Sequence, residues 1–563
     1  MQHGDQKSMT VQGHNIEDDL PELPTRVIDV GVEGLREPRL LISSGARANY
    51  VTLSYCWGKT RPITTQTLTL QQHLDSIPFS ELPKTFQDAV TVTRALGYQF
   101  LWIDSLCIIQ DSAEDWQQEC AKMATIYMRA IVTIAGTKVT DSQSGFLAER
   151  QAAPLTPHIW EYKSTEEAKS QRAVLRHHPV TYPSSVRYHF GPELVDIEAD
   201  SPLQTRGWIL QEFTLSPRLL LFGPFRMRLE CQTCTYFEDY ENEEFTHMDS
   251  GRNLKQDIQS KISSNQRARA WYDILFEYTR RDLSNSNDML PAVAGMARWL
   301  IGDSGKNDNY VAGLLKDDLC NGLAWYVVTS PAKPPASEYR SPSWSWASTD
   351  NQVGFVVLDR PEAEETTDYV AGSNDYGSFS GKSKRSSRNT RVVIHRIELE
   401  LKGVDRFGQV KFASLKLQGR VKIGWIDISE EKNHGGIPSW HVYLTNSNNK
   451  VGLFWADDSP YWKSLYETAT ADGEVGEVPP ETQNTWRRPI KFLYLDTNEN
   501  GDFNAVGIKP VESDASPLAT LKTGSDNLYK HYQRVGIFFN HEMPYPYSPH
   551  WFEDADWKLI ELL

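Results

Sequence analysis

Trp208 and Glu212 stand four residues apart in the segment Arg206-Gly-Trp-Ile-Leu-Gln-Glu212. In a helix that spacing puts both side chains on one face. An aromatic flank removes water from a carboxylate and raises its pKa. A carboxylate so placed can stabilise a developing cation, as in glycoside cleavage. The plainer role for Glu212 is a helix-surface ion pair with Arg206 or Arg218. Arg206 can clasp a phosphate or carboxylate with its two-pronged guanidinium, and a structural salt bridge suits it equally. Asp104 and Asp111 suit ribose hydroxyls, or the capping of a turn and of the helix that follows. Cys56 and Cys107 are candidate nucleophiles by type. Neither has a nearby histidine in sequence to lower its pKa, and free cysteines are commonly buried packing residues. Cys231-Gln-Thr-Cys234 is a lone CxxC without a second pair at zinc spacing, so no metal site is expected.

These residues need elements to hold them. Phe100–Ile103 is a short apolar run that reads as a buried strand, with Asp104 at its end. Ser112-Ala-Glu-Asp115 has the form of a helix N-cap. Trp116, Cys120, Met123 and Tyr127 then repeat at helical spacing. Upstream, Val51, Leu53 and Tyr55 alternate as in a strand, and Gly58 with Lys59, Thr60 and Arg61 ends it. Thr85-Phe-Gln-Asp88 is a second capping pattern. It opens a helix whose inner face is Phe86, Ala89, Val90, Thr93 and Leu96, stopped at Gly97. Ile131–Ala135 adds a third strand. Strands alternating with helices argue for an α/β sheet, mainly parallel. Polar groups at the C-terminal edge of such strands are where open α/β sheets place ligands.

With 563 residues the chain exceeds one ordinary domain. Residues 1–22 read as disordered, 23–240 as the α/β domain with an insertion at about 152–200, and 241–361 as a helical region packed on it. Helices are expected near 268–281, 290–300 and 314–328, and Pro342–Ser348 as an aromatic extended segment. Residues 362–389 read as a disordered loop and 390–563 as a β-rich domain. The formal net charge of −16 disfavours nucleic acid and anionic membranes as partners. No run reaches the ~20 apolar residues of a membrane span. Six cysteines and a polar N-terminus suggest a cytoplasmic setting.

Four blocks are specific: Ser54-Tyr-Cys-Trp-Gly58, Leu82-Pro-Lys-Thr-Phe-Gln-Asp-Ala-Val90, the run Leu101–Trp116, and Arg206–Glu212. Together, between residues 50 and 216, they resemble the heterokaryon-incompatibility (HET) domain of filamentous fungi. That resemblance implies a role in programmed cell death after fusion of unlike cells. It extends more distantly to TIR domains, with a flavodoxin-like parallel sheet, a first strand ending in Ser54-Tyr55, and a Trp-to-Glu spacing like the one that cleaves NAD. Ile209 departs from the cysteine usual in that TIR segment. The implied assignments are Glu212, Asp104, Cys56 and Cys107 as catalytic candidates. Ser54, Tyr55, Trp57, Asp111, Arg206 and Trp208 would bind substrate. NAD would be a substrate and no cofactor is implied. Two other readings stay open: a non-enzymatic module acting through protein partners or self-association, and a small-molecule enzyme using Cys56, Asp104 and Glu212.

Overall fold

A computed structural model of the chain describes residues 20–58, 62–148, 201–224, 266–302, 309–328, 339–356, 392–427 and 555–563, with residue 552 and shorter segments at 158–163, 170–175, 227–231, 234–238, 245–246, 432–434, 437–443, 450–456, 487–497, 503–510 and 531–539. The stretches expected to be disordered, 1–22 and 362–389, lie outside these residues except for 20–22, as does most of the insertion near 152–200.

The chain forms two compact units. The first comprises Met1–Val186, Phe190–Thr205 and Gln211–Gln256; the second comprises Arg187–His189, Arg206–Leu210 and Asp257–Leu563. The first unit is built on a nine-stranded sheet. Its elements are β1 (Arg26–Asp29), β2 (Arg39–Ile42), β3 (Tyr50–Ser54), α1 (Leu70–Asp75), α2 (Lys84–Ala95), β4 (Phe100–Trp102), α3 (Asp104–Cys107), α4 (Ala113–Arg129) and β5 (Val132–Gly136). A separate hairpin, β6 (His158–Lys163) with β7 (Ser170–Leu175), follows. Then come α5 (Gly207–Leu215), which belongs to this unit from Gln211 on, β8 (Arg218–Phe222), β9 (Met227–Cys231), β10 (Cys234–Phe237) and β11 (Phe245–Thr246).

The strand order is β11-β10-β9-β8-β5-β3-β4-β1-β2. Its centre, β4-β3-β5-β8, is parallel throughout. The three strands expected near 51–55, 100–103 and 131–135 therefore share one sheet in parallel. Every residue of β3 and β5 is buried, as expected for strands covered on both faces. The wings are antiparallel: β1 with β2 and β4 on one side, β8 through β11 on the other. Connection length explains the hairpins, because a parallel crossover needs about a dozen residues or more. Residues 30–38, 223–226, 232–233 and 238–244 are all the chain supplies within β1–β2, β8–β9, β9–β10 and β10–β11, whereas β1 lies antiparallel to β4 without following it directly in the chain.

Helix α4 begins as expected, with Ser112 Oγ accepting from the Asp115 amide at 3.2 Å. Its buried face is Glu119, Met123, Ala124, Ile126 and Tyr127. Trp116 and Cys120 are only half-buried, so the inner stripe is turned from the expected one. Helix α2 starts at Lys84 with Pro83 as its N-cap residue, not Thr85. Thr85 instead ties α2 to the loop after β5, donating to Asp141 O and accepting from the Gly145 amide. Leu96, placed on the inner face by its spacing, is 43% exposed, because the helix ends one residue earlier.

The second unit opens with α6 (Arg267–Thr279) and α7 (Pro291–Ile301), close to expectation. No single helix covers 314–328. The chain makes β12 (Tyr310–Val311), β13 (Leu314–Leu315), the short α8 (Leu319–Leu323) and β14 (Trp325–Val327), which pairs with β15 (Val353–Phe355). Gly313, at φ 91°, closes the β12–β13 turn, and the β-forming Trp-Tyr-Val run starts a strand. Trp344 and Trp346 are fully buried, and Trp346 opens a short 3-10 turn rather than an extended segment.

The remainder is β structure: β16 (Val392–Leu401), β17 (Val410–Asp427), β18 (Lys432–His434), β19 (Ile437–Tyr443), β20 (Lys450–Ala456), β21 (Arg487–Thr497), β22 (Phe503–Pro510), β23 (His531–Phe539) and β24 (Asp556–Leu562). The pairings β17-β21-β22-β23-β20-β19 return to β17, closing a barrel. The 18-residue β17 makes this possible by serving several partners along its length. Phe454 and Phe492, 5.7 Å apart edge to face, are among its buried side chains.

Candidate functional site

The central strands end at one edge, since they run in parallel. The connection out of β3 leads to β4 on one side, and the chain from β5 reaches β8 on the other. The crevice between two strands whose connections diverge is the usual ligand position in an open α/β sheet. Ser54, the last residue of β3, stands beside Ala135 of β5 at that point. Its hydroxyl donates to Glu212 Oε2 at 2.5 Å. The Glu212 side chain thus comes from α5 to the switch point, and the small Ala135 leaves the place beside Ser54 without bulk. Glu212 is 5% exposed. A hydrogen bond to a carboxylate in so dry a setting is among the strong ones.

The loops after β3 and β4 are joined beside this pair. Trp57 Nε1 donates to Asp104 Oδ2 at 2.8 Å, while Asp104 Oδ1 accepts from the Ser105 amide at 2.7 Å. Thr65 pairs its backbone with Ser105 O and the Gln110 amide, and its hydroxyl reaches Leu106 O and His73 Nδ1. Burial lowers the pKa of His73. Asp111 Oδ1 accepts from the amide and hydroxyl of Thr67, so Asp111 fastens the two loops together in an exposed position. Gly58, at φ 78°, passes Asp141 so closely that a Cβ would overlap the Asp141 side chain. Hydrogen bonds, first from the Ser144 hydroxyl and then from the Gln143 and Ser144 amides, hold the Asp141 pKa below the usual carboxylate value. Asp88, buried on α2, accepts from the amides of Phe146 and Leu147 and pairs with Lys84. A carboxylate in two of the four blocks thus fixes a loop.

The other candidates are placed differently. Cys107 is fully buried, its carbonyl receives Arg26 Nε at 2.7 Å, and burial pushes its thiol up to about 12. Cys107 therefore sits in the core, in keeping with the packing role open to a free cysteine. Cys56 is also buried, as is Tyr55, whose ring meets Phe86 edge to face at 5.0 Å. Arg206 and Trp208 belong to the second unit. There Arg206 bridges the backbone of Asp282, the Gly207 amide donates to Asp282 O at 2.8 Å, and Trp208 Nε1 reaches Asp288 Oδ2 at 3.4 Å. A Cβ on Gly207 would come within 2.6 Å of Leu283 Cδ2, so that leucine would have to shift.

Residues 50–212 match the family model described as heterokaryon incompatibility protein (HET). The chain carries a HET domain. Its matched span opens at Tyr50, the first residue of β3, and closes at Glu212, so the Ser54–Glu212 pair joins its two ends. No curated protein and no solved structure matches the chain. Among the described residues no group of three His, Cys, Asp or Glu side chains is placed to hold a metal ion, and no helix is long and apolar enough to cross a membrane.

The hydroxyls of Thr52 and Thr133, on the central strands β3 and β5, and of Ser216, just after α5, escaped the motif reading. Thr52 Oγ1 and Thr133 Oγ1 are 2.7 Å apart, Thr133 Oγ1 and Ser216 Oγ 2.5 Å, and Ser216 Oγ donates to Glu212 O at 2.6 Å. The available signal was the two-residue period of β3, which puts Thr52 and Ser54 on one face.

Proposed function

We propose that this HET domain cleaves the N-glycosidic bond of NAD or a related nucleotide, with Glu212 as the acting carboxylate. The domain itself supports a function of the heterokaryon-incompatibility type, and the cleavage would supply the death signal. The single observation behind this reading is the Glu212 carboxylate fixed by Ser54 at the edge where β3 and β5 diverge. The central order β4-β3-β5-β8 is also that of a flavodoxin-like sheet numbered 2-1-3-4, in keeping with the distant TIR likeness. In the reaction the bond from the ribose anomeric carbon to the nicotinamide nitrogen breaks. Its electron pair neutralises the pyridinium, and water adds to the ribosyl cation with release of a proton. A buried anion facing that cation lowers the barrier electrostatically. Ser54 holds the anion, and Asp104, itself held by Trp57, would meet ribose hydroxyls.

The test is purified protein incubated with NAD and related nucleotides, products read by mass spectrometry, beside Glu212→Gln. Glutamine keeps an acceptor for Ser54 but removes the charge. Turnover should fall about 10²–10³-fold with folding retained, the usual cost of one such electrostatic contact. Full activity in folded Glu212→Gln rejects this chemistry. Inactivity of the wild type on every nucleotide favours a domain that acts through assembly with partners.

A further inference from the structure

The chain of hydroxyls beside Glu212 has a fixed direction. A carbonyl oxygen only accepts, so Ser216 donates its hydrogen to Glu212 O. Thr133 must then donate to Ser216, and Thr52 to Thr133. Head-to-tail order of this kind strengthens each member through polarisation. Thr52, Thr133 and Ser216 are all fully buried, and Thr52 and Thr133 are direct cross-strand partners on β3 and β5. A serine at a helix end often turns back to the carbonyl four residues earlier. Here that serine is also seized by a side chain from the sheet, which makes it an attachment point.

We propose that Thr133 and Ser216 are positioning residues for the Glu212 carboxylate. Residue 212 is held at both ends: its carbonyl by the Thr52–Thr133–Ser216 relay, and its carboxylate by Ser54. One residue of helical rotation swings a side chain by about 100°, given 3.6 residues per turn, and would break both holds together. The relay therefore sets which residue of α5 faces the edge of β3. The inference rests on the reading of Glu212 as the acting group and names the residues that aim it.

The test uses the full chain and the substitutions Thr133→Val, Thr133→Ser and Ser216→Ala. Valine keeps the shape of threonine and removes the hydroxyl, and serine restores the hydroxyl. The first readout needs no activity. A water-soluble carbodiimide with an amine modifies accessible carboxylates of the native protein. Trypsin then releases Gly207–Arg218, in which Glu212 is the sole carboxylate. Losing one hydrogen bond shifts a local equilibrium about fivefold, so Glu212 should label about that much faster in Thr133→Val and Ser216→Ala. Thr133→Ser should return to the wild-type rate, and exposed Glu114 should label alike in all. The second readout is turnover: both substitutions should lower kcat and leave KM nearly unchanged, with rescue by Thr133→Ser. Wild-type labelling of Glu212 in both folded variants overturns the proposal. So does failure of Thr133→Ser to restore protection, and so does an active enzyme whose kcat ignores both changes. Faster, rescuable labelling in a protein inactive on nucleotides upholds the hold on Glu212 and removes only the glycohydrolase reading.

Discussion

Asp288 is a carboxylate whose ionisation the fold opposes. Burial raises its pKa to about 6, against the partly offsetting hydrogen bond from Trp208. The folded protein holds this proton more tightly than the unfolded chain, whose aspartate titrates near 3.8. Its contribution to stability is thus fully present below about pH 4 and is lost as pH rises through about 6. Asp288→Asn removes the penalty, so the variant should be more stable than wild type at neutral pH by on the order of 2 kcal/mol. Urea midpoints at about pH 7 and about pH 4 check this, and a gap that fails to narrow in acid would refute it. At this scale the sequence was legible where residue type limits chemistry. Glu212 and Ser54 were named and do meet. For Cys107 both roles stayed open, because a thiol's reactivity depends on burial, which spacing does not reveal. The contacts of Arg206 and Trp208 with Asp282 and Asp288 were not legible, because those partners stand about 80 residues further along the chain.

Elements were legible where a local pattern governs them. β3 and β5 are apolar runs buried on both faces, and α4 carries its own start signal in Ser112. Asp115 adds to that cap: its carboxylate receives the Ile109 amide at 2.7 Å and Arg26 at 2.5 Å. Ser112→Ala removes one amide acceptor and should cost about 1 kcal/mol, seen as a lower thermal midpoint. Thr85, with the same sequence pattern, is not an N-cap, and Thr85→Ala should act instead through the loop after β5. Faster amide exchange over residues 141–147 than over the first turn of α2 would distinguish the two. The antiparallel wings and the shifted stripe of α4 were not legible. Both follow from neighbours: the hairpins of the wings from short connections, the stripe from Thr25 and Lys122, which give buried Glu119 its partners at 2.8 and 2.9 Å.

For the whole molecule, the sequence signalled an α/β part, a helical region and a β-rich part; the chain divides into two units, and helices α6 to α8 fall in the second. The closure of the second into a barrel was out of reach, because strands such as β20 and β22 are recognised by partners far along the chain. Its aromatic core has a focal point that single residues can test. The Gly313 carbonyl accepts from both Trp271 Nε1 and Trp346 Nε1 at 2.9 Å, filling its two lone pairs. Gly313 lies at φ 91°, and a Cβ there would meet Trp346 Nε1 at 2.6 Å. Alanine must therefore strain the backbone and displace a fully buried tryptophan. Gly302, in the same unit, has φ 84° and nothing within 4 Å of its Cβ position. Gly302→Ala carries the backbone cost alone, about 1 kcal/mol, whereas Gly313→Ala adds overpacking for a total of about 2–4 kcal/mol. Urea unfolding of both variants, with exchange measured over residues 310–315 and 344–348, separates the contributions. Equal destabilisation by the two substitutions would mean that Trp346 yields freely, and that the shared carbonyl does not organise this core.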